Sequence, residues 1–105
     1  MDSRAIYAAL DRLRAKGMID CIIEGGCLSG ADSIARNWAE TNGIECRTYV
    51  ADWERHGRAA GPMRNQLMLD REKPDGVIAF PGGRGTEDMK RRALAAHVKI
   101  WEPCT

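Results

Sequence analysis

Three segments of this chain combine glycines with hydroxyl, carboxylate or guanidinium side chains at spacings that suit an anionic ligand. The first is Glu24-Gly25-Gly26-Cys27-Leu28-Ser29-Gly30-Ala31-Asp32. Glycines at 25, 26 and 30 let backbone approach a ligand with no Cβ in the way. Amides at the start of a following helix would face that ligand. The second segment, 51–65, carries Arg55, Arg58, Arg64 and Asn65. The third is Pro81-Gly82-Gly83-Arg84-Gly85-Thr86. Here Arg84 adds a charged, forked donor. Thr86 is placed to cap a helix and to offer its hydroxyl to a phosphate. The Gly-Lys-Ser/Thr ending of a Walker motif is absent.

Other reactive side chains carry less. Asp52, Glu54 and His56 alternate with other residues, but such carboxylates are ordinarily solvated, and no metal site is expected. His56 and His97 lack a serine or cysteine nucleophile at useful spacing, so no triad is read. The cysteines at 21, 27, 46 and 104 form no C-x-x-C pair and are expected as reduced thiols. Trp53 is placed either to stack on a base or to pack its segment onto the body. Glu87 and Asp88 are expected to complement a helix dipole. Lys90-Arg91-Arg92 reads as a solvated helix face.

The elements that must position these residues alternate. Ile6, Ala9, Leu10 and Leu13 share one helical face, with Ser3 or Asp2 as cap and Gly17 as stop. Cys21–Ile23 reads as a short buried strand. Ala31, Ile34, Ala35, Trp38 and Ala39 follow a helical repeat, capped by Ser29 and stopped by Gly43. Residues 46–50 alternate as a half-exposed strand. Pro62 suits the first position of a helix running to about Arg71. Residues 51–61 before it read as a long loop. Gly76–Phe80 is nearly all apolar, as in a strand buried on both faces. A helix over 86–96 and a strand over 98–101 complete the chain. Such alternation implies an α/β fold with a mostly parallel sheet of about four strands. In an open parallel sheet ligands bind beyond the carboxyl ends of the strands, so the three segments are expected on one edge.

The 105 residues are one domain's worth, and 44% hydrophobic with 30% charged residues makes disorder a poor reading. A net charge of +1 gives no general basic excess for nucleic acid. No apolar run approaches a membrane span and no signal peptide is recognisable. A cytoplasmic protein is expected.

Together, Gly25-Gly26-x-x-Ser29-Gly30-Ala31-Asp32, Ala51-Asp52-Trp53, Gly57-Arg58-x-Ala60-Gly61-Pro62-x-Arg64-Asn65 and Phe80-Pro81-Gly82-Gly83-x-Gly85-Thr86 resemble the YspA/YpsA-related branch of the SLOG superfamily. The resemblance covers nearly the whole chain. It implies a single Rossmann-like domain, a three-layer sandwich, that takes nucleotide-derivative ligands. Relatives begin with a strand and a Gly/Arg loop, so this chain is expected to enter just after them and to lack the usual first strand. The LOG-type phosphoribohydrolases of the superfamily carry P-G-G-x-G-T-x-x-E with an upstream arginine. Residues 81–86 match, Arg64 is a counterpart of the arginine, and Met89 stands where the glutamate belongs.

The leading expectation is a domain binding an ADP-ribose- or nucleoside-phosphate-like ligand, as a sensor or a processing enzyme. Gly82, Gly83, Gly85 and Thr86 would hold phosphate, and Arg64 and Arg84 would neutralise it. Gly25, Gly26, Ser29, Gly30 and Asn65 complete the set, with Asp32 accepting ribose hydroxyls. Two alternatives stand beside it: a phosphoribohydrolase-like enzyme, and a single-stranded nucleic-acid binder of the DprA type, which the near-neutral charge disfavours. No cofactor, metal or membrane partner is expected. Open strand edges predict a homo-oligomer.

Overall fold

The computed structural model describes residues 3–28 and 30–103. The chain divides into two units, Met1–Val50 and Ala51–Thr105. The caps expected at Asp2 and Ser29, and Cys104, lie outside the described residues.

In the first unit the order is α1 (Ser3–Ala15), β1 (Cys21–Glu24), α2 (Ala31–Asn42) and β2 (Glu45–Thr48). The helical repeat of α1 buries Ile6, Ala9 and Leu10, and leaves Leu13 half-buried. This face packs on α2, where Trp38 and Ala39 are completely covered. Burying an indole is favourable only if its N–H keeps a partner. Nε1 of Trp38 donates to Oδ1 of Asp11 at 2.8 Å. Truncating Trp38 to alanine would cost about 3–5 kcal/mol from lost burial and the cavity left behind. Helix α2 stops at Gly43, whose φ of 66° is left-handed and whose N–H reaches the carbonyls of Ala39 and Glu40. Glycine takes this conformation without a Cβ clash. Strands β1 and β2 are parallel, in register from Cys21↔Glu45 to Glu24↔Thr48. Ile22 and Glu24 share the buried face of β1; β2 starts one residue earlier and ends two residues sooner than the expected 46–50, and only Cys46 along it is half-buried.

The second unit runs α3 (Trp53–His56), a 3-10 turn (Gly57–Ala59), α4 (Ala60–Glu72), β3 (Gly76–Ile78), α5 (Arg84–Ala95) and β4 (Lys99–Trp101). The stretch before Pro62 is thus not a long loop. Asp52 accepts a hydrogen bond from the Arg55 amide at 3.1 Å and so caps α3. Helix α4 starts two residues before Pro62, because Ala60 and Gly61 also take helical conformation and are buried. Trp53 lies over Gly61, where a Cβ would meet its ring at 3.0 Å; no bulkier residue fits there without moving the indole. Strand β3 ends earlier than the apolar run. Val77 and Ile78 are half-buried and Gly76 is exposed. Ala79 and Phe80, just past the paired residues, are the buried ones. The Ala79 amide still donates to the Trp101 carbonyl at 2.9 Å.

The class is α/β with short parallel strands. Its described strands pair in parallel within each unit, β1 with β2 in the first and β3 with β4 in the second. Among the described residues no helix is long and apolar enough to cross a membrane.

Candidate functional site

The glycine loop of the first unit joins β1 to α2. Gly25 is buried and Gly26 half-buried. Gly26 has φ of 74°, and a Cβ there would lie 2.8 Å from Cγ2 of Val50 and 3.0 Å from Cγ2 of Thr48. Conformation and space therefore both require glycine at this position. Gly30, which has no side chain to offer the first turn, is the N-cap of α2. Asp32 is the second residue of that helix, half-exposed. Ser29, expected as both cap and ligand contact, lies outside the described residues.

The strand before the loop ends on a carboxylate that sequence reasoning passed over. Glu24 is only 3% exposed. Its Oε1 accepts from the Gly26 amide at 2.8 Å and faces the Arg36 guanidinium at 3.4 Å. Its Oε2 accepts from the Thr48 hydroxyl and from the Cys46 thiol. Burial, together with the nearby Glu24 charge, pushes the Cys46 thiol above its ordinary range. Cys27, by contrast, is exposed.

In the second unit, Pro81–Gly83 leads straight into α5. Gly83, not Thr86, is the N-cap, and it has no side chain to offer the first-turn amides. Thr86 sits at the third helical position and packs against Gly82: a Cβ on Gly82 would collide with its hydroxyl oxygen and approach its Cβ to 3.2 Å. Arg84 and Gly85 are exposed at the first two positions. A helix start with a glycine N-cap and an exposed arginine is suited to an anion, since the partial positive charge of the N-terminus and the guanidinium act together.

Arg64 and Asn65 are brought to this helix start. The Asn65 amide nitrogen donates to the Gly85 carbonyl at 3.1 Å and to Asp88 at 3.1 Å, while its Oδ1 accepts from Nε of Arg64 at 3.0 Å. Asn65 is 4% exposed, so its amide braces α4 against α5. Asp88 is the second buried carboxylate missed in the sequence. It receives Arg91 at 2.6 Å and Arg92 at 2.8 Å, one helical turn on. Burial acts to raise its pKa, but the hydrogen bonds from Arg92 and Asn65 and the charges of Arg92 and Arg91 outweigh it and hold the carboxyl below its ordinary value. The expected solvated face at 90–92 is therefore a set of ion pairs. Lys90 joins Glu87 at 3.0 Å and Glu102 at 2.9 Å.

The predicted residues thus fall into two groups: Gly25, Gly26, Gly30 and Asp32 around the start of α2, and Arg64, Asn65 and Gly82–Thr86 around the start of α5. Each group has glycine-rich backbone opening into a helix whose N-cap is a glycine.

The chain is 38% identical over 107 residues to Gene 61 protein of Mycobacterium phage D29, across 94% of this chain and 84% of that protein. The crystal structure of a LacI family transcriptional regulator from Arthrobacter sp. FB24, in complex with lactose, is similar over 98% of this chain at 12% identity, with a TM-score of 0.56. The chain spans 39% of that regulator's length, and the likeness is one of fold. The family described as "YspA, cpYpsA-related SLOG family" matches residues 1–56, which include the whole first glycine loop and α2. On this match and the phage relative, the chain belongs to the YspA, cpYpsA-related SLOG family.

Proposed function

We propose that the protein binds a nucleotide derivative, of the ADP-ribose or nucleoside-phosphate class, through its glycine-rich loops and helix N-termini. The observation that carries this reading is the start of α5, where the N-cap is Gly83, which has no side chain to offer the first-turn amides, and Arg84 is exposed beside it. Phosphate held by Gly82, Gly83, Gly85 and Thr86 would be neutralised by Arg64 and Arg84. Asn65 keeps Arg64 and Gly85 in place from behind. Taken by itself, the loop of the first unit, with Gly25, Gly26, Ser29 and Gly30, would admit a sugar or phosphate, and Asp32 would accept ribose hydroxyls. Family membership supports a nucleotide-related role. The reading includes one Rossmann-like domain in the cytoplasm, acting as a homo-oligomer.

The test is calorimetric titration with ADP-ribose, AMP, NAD and adenosine. Phosphorylated ligands should bind and adenosine should bind least. Gly82→Ala, which must displace Thr86, should weaken the phosphorylated ligands. No binding by any of the phosphorylated ligands would refute the reading. Light scattering over a range of concentrations tests the oligomer, and a monomer throughout would remove that part alone.

A further inference from the structure

A buried carboxylate at the end of an apolar strand is costly unless it is fully partnered, and Glu24 spends its partners on the loop that follows it. One oxygen takes the Gly26 amide at 2.8 Å and the other takes the Thr48 hydroxyl of β2. Arg36, from the middle of α2, pairs with Glu24 at 3.4 Å and donates to the Cys27 carbonyl at 2.8 Å. The loop is therefore gripped at two successive residues, at the N–H of Gly26 by Glu24 and at the C=O of Cys27 by Arg36. In this loop Gly26 lies close to Val50 and Thr48, where a Cβ would meet their methyl groups at 2.8 and 3.0 Å. Nε of Arg36 is enclosed without a hydrogen-bond partner, so the guanidinium leaves one donor unsatisfied to keep this orientation. Holding a loop in one shape before binding removes the ordering cost from the binding step.

We propose that Glu24 and Arg36 are paired positioning residues that set the shape of the Gly25–Cys27 loop in the free protein and thereby raise its affinity for the nucleotide derivative. The inference rests on the reading of this loop as a ligand-binding element. Neither residue needs to touch the ligand. Glu24 acts through the Gly26 amide and Arg36 through the Cys27 carbonyl, and each holds the other.

The experiment follows hydrogen exchange of the Gly26 amide by NMR, together with calorimetric titration of ADP-ribose. The proteins are the wild type, Glu24→Gln, Arg36→Gln, Arg36→Lys and the exposed control Glu45→Gln. In the wild type the Gly26 amide should be protected. In Glu24→Gln and Arg36→Gln it should exchange about tenfold faster and ADP-ribose should bind about tenfold more weakly, the scale of one charge-assisted hydrogen bond. Arg36→Lys, which keeps the charge, should recover part of both, and Glu45→Gln should change neither. A Gly26 amide that exchanges freely in the wild type overturns the proposal even if Glu24→Gln fails to fold. Unchanged protection in the folded variants also overturns it, as does a loosened loop with unchanged ADP-ribose affinity. A wild type that binds no ADP-ribose but shows the exchange pattern refutes the ligand while leaving the two residues as the loop's clamp.

Discussion

The side-chain amide of Asn65 donates to the buried carboxylate of Asp88 at 3.1 Å and, from the same nitrogen, to the carbonyl of Gly85 at 3.1 Å. The first half of α4 and the first turn of α5 are thus one polar unit, with Arg92 closing it at 2.8 Å. Removing the amide leaves a buried carboxylate and a carbonyl short of a donor. Asn65→Ala should destabilise the protein by about 1–3 kcal/mol, read as a lower urea midpoint. An unchanged midpoint would mean that water replaces the amide without loss.

The same carboxylate sets an acid limit. Because the Asp88 pKa is lowered in the folded protein, the unfolded chain takes up its proton first as pH falls. Its contribution is fully present above the ordinary value of 3.8 and is lost as pH drops through the folded value. Urea midpoints measured from about pH 6 down to about pH 3 should fall steeply at the acid end. Asp88→Asn should start lower and flatten that slope. An equally steep slope in the variant would assign the acid loss to other carboxylates.

Helix α5 ends in a Schellman arrangement built on the wrong residue type. His97 donates to the Leu94 carbonyl at 3.1 Å and Val98 to the Ala93 carbonyl at 2.9 Å, with His97 at φ of 60°. A non-glycine residue in this left-handed conformation carries a steric penalty. His97 is exposed and has little packing to lose. His97→Gly should stabilise by about 0.5–1 kcal/mol after allowing for the greater freedom of glycine in the unfolded chain. A drop in thermal midpoint would show that the imidazole contributes more than its backbone costs.

Thiol chemistry should separate Cys27 from Cys46. The Cys46 thiol is pushed up first by burial and then by the Glu24 charge, and reactivity follows the thiolate fraction and access. Peptide mass spectrometry after brief maleimide treatment near neutral pH should find Cys27 modified well before Cys46. Equal rates would show that the β1–β2 region opens as readily as the loop.

Much of the frame was legible because its signals are local. Trp38 and Ala39 fall where the helical repeat places them, and Gly43 stops α2 as glycine does when a left-handed residue is needed. What was missed depends on partners distant in sequence. Glu24 looks like the polar end of an apolar strand until Thr48 and Arg36 are brought to it. Asp88 looks like a dipole-complementing first-turn acid. The arginines three and four residues on were the available signal for its ion pairs, but its third partner, Asn65, comes from another helix. Thr86 looked like the cap because the loop was read as lasting to Gly85, whereas the glycine and arginine before it already take helical conformation. The four-residue α3 is too short to show a period, and only Asp52 three residues before Arg55 hinted at its cap.

The start of α5 also argues for binding without hydrolysis. Cleaving an N-glycosidic bond develops positive charge on the ribose, and a carboxylate beside it must stabilise that charge or activate water. At the position where the resembling phosphoribohydrolases carry glutamate, this chain has the half-buried Met89. Asp88 cannot take over, because Asn65, Arg91 and Arg92 already hold its two oxygens. Glu87 is exposed and pairs with Lys90 at 3.0 Å. Successive helix positions turn by about 100°, so neither acid points where residue 89 does. The residues proposed to hold phosphate, Gly82, Gly83, Gly85 and Thr86, need no carboxylate. The wild type should therefore release little or no free base from AMP and related monophosphates under conditions where it binds them. Met89→Glu is the variant expected to gain turnover, if the remaining geometry is that of a hydrolase. Robust release by the wild type, lost in Glu87→Gln with the fold intact, would overturn this expectation and make Glu87 the catalytic acid.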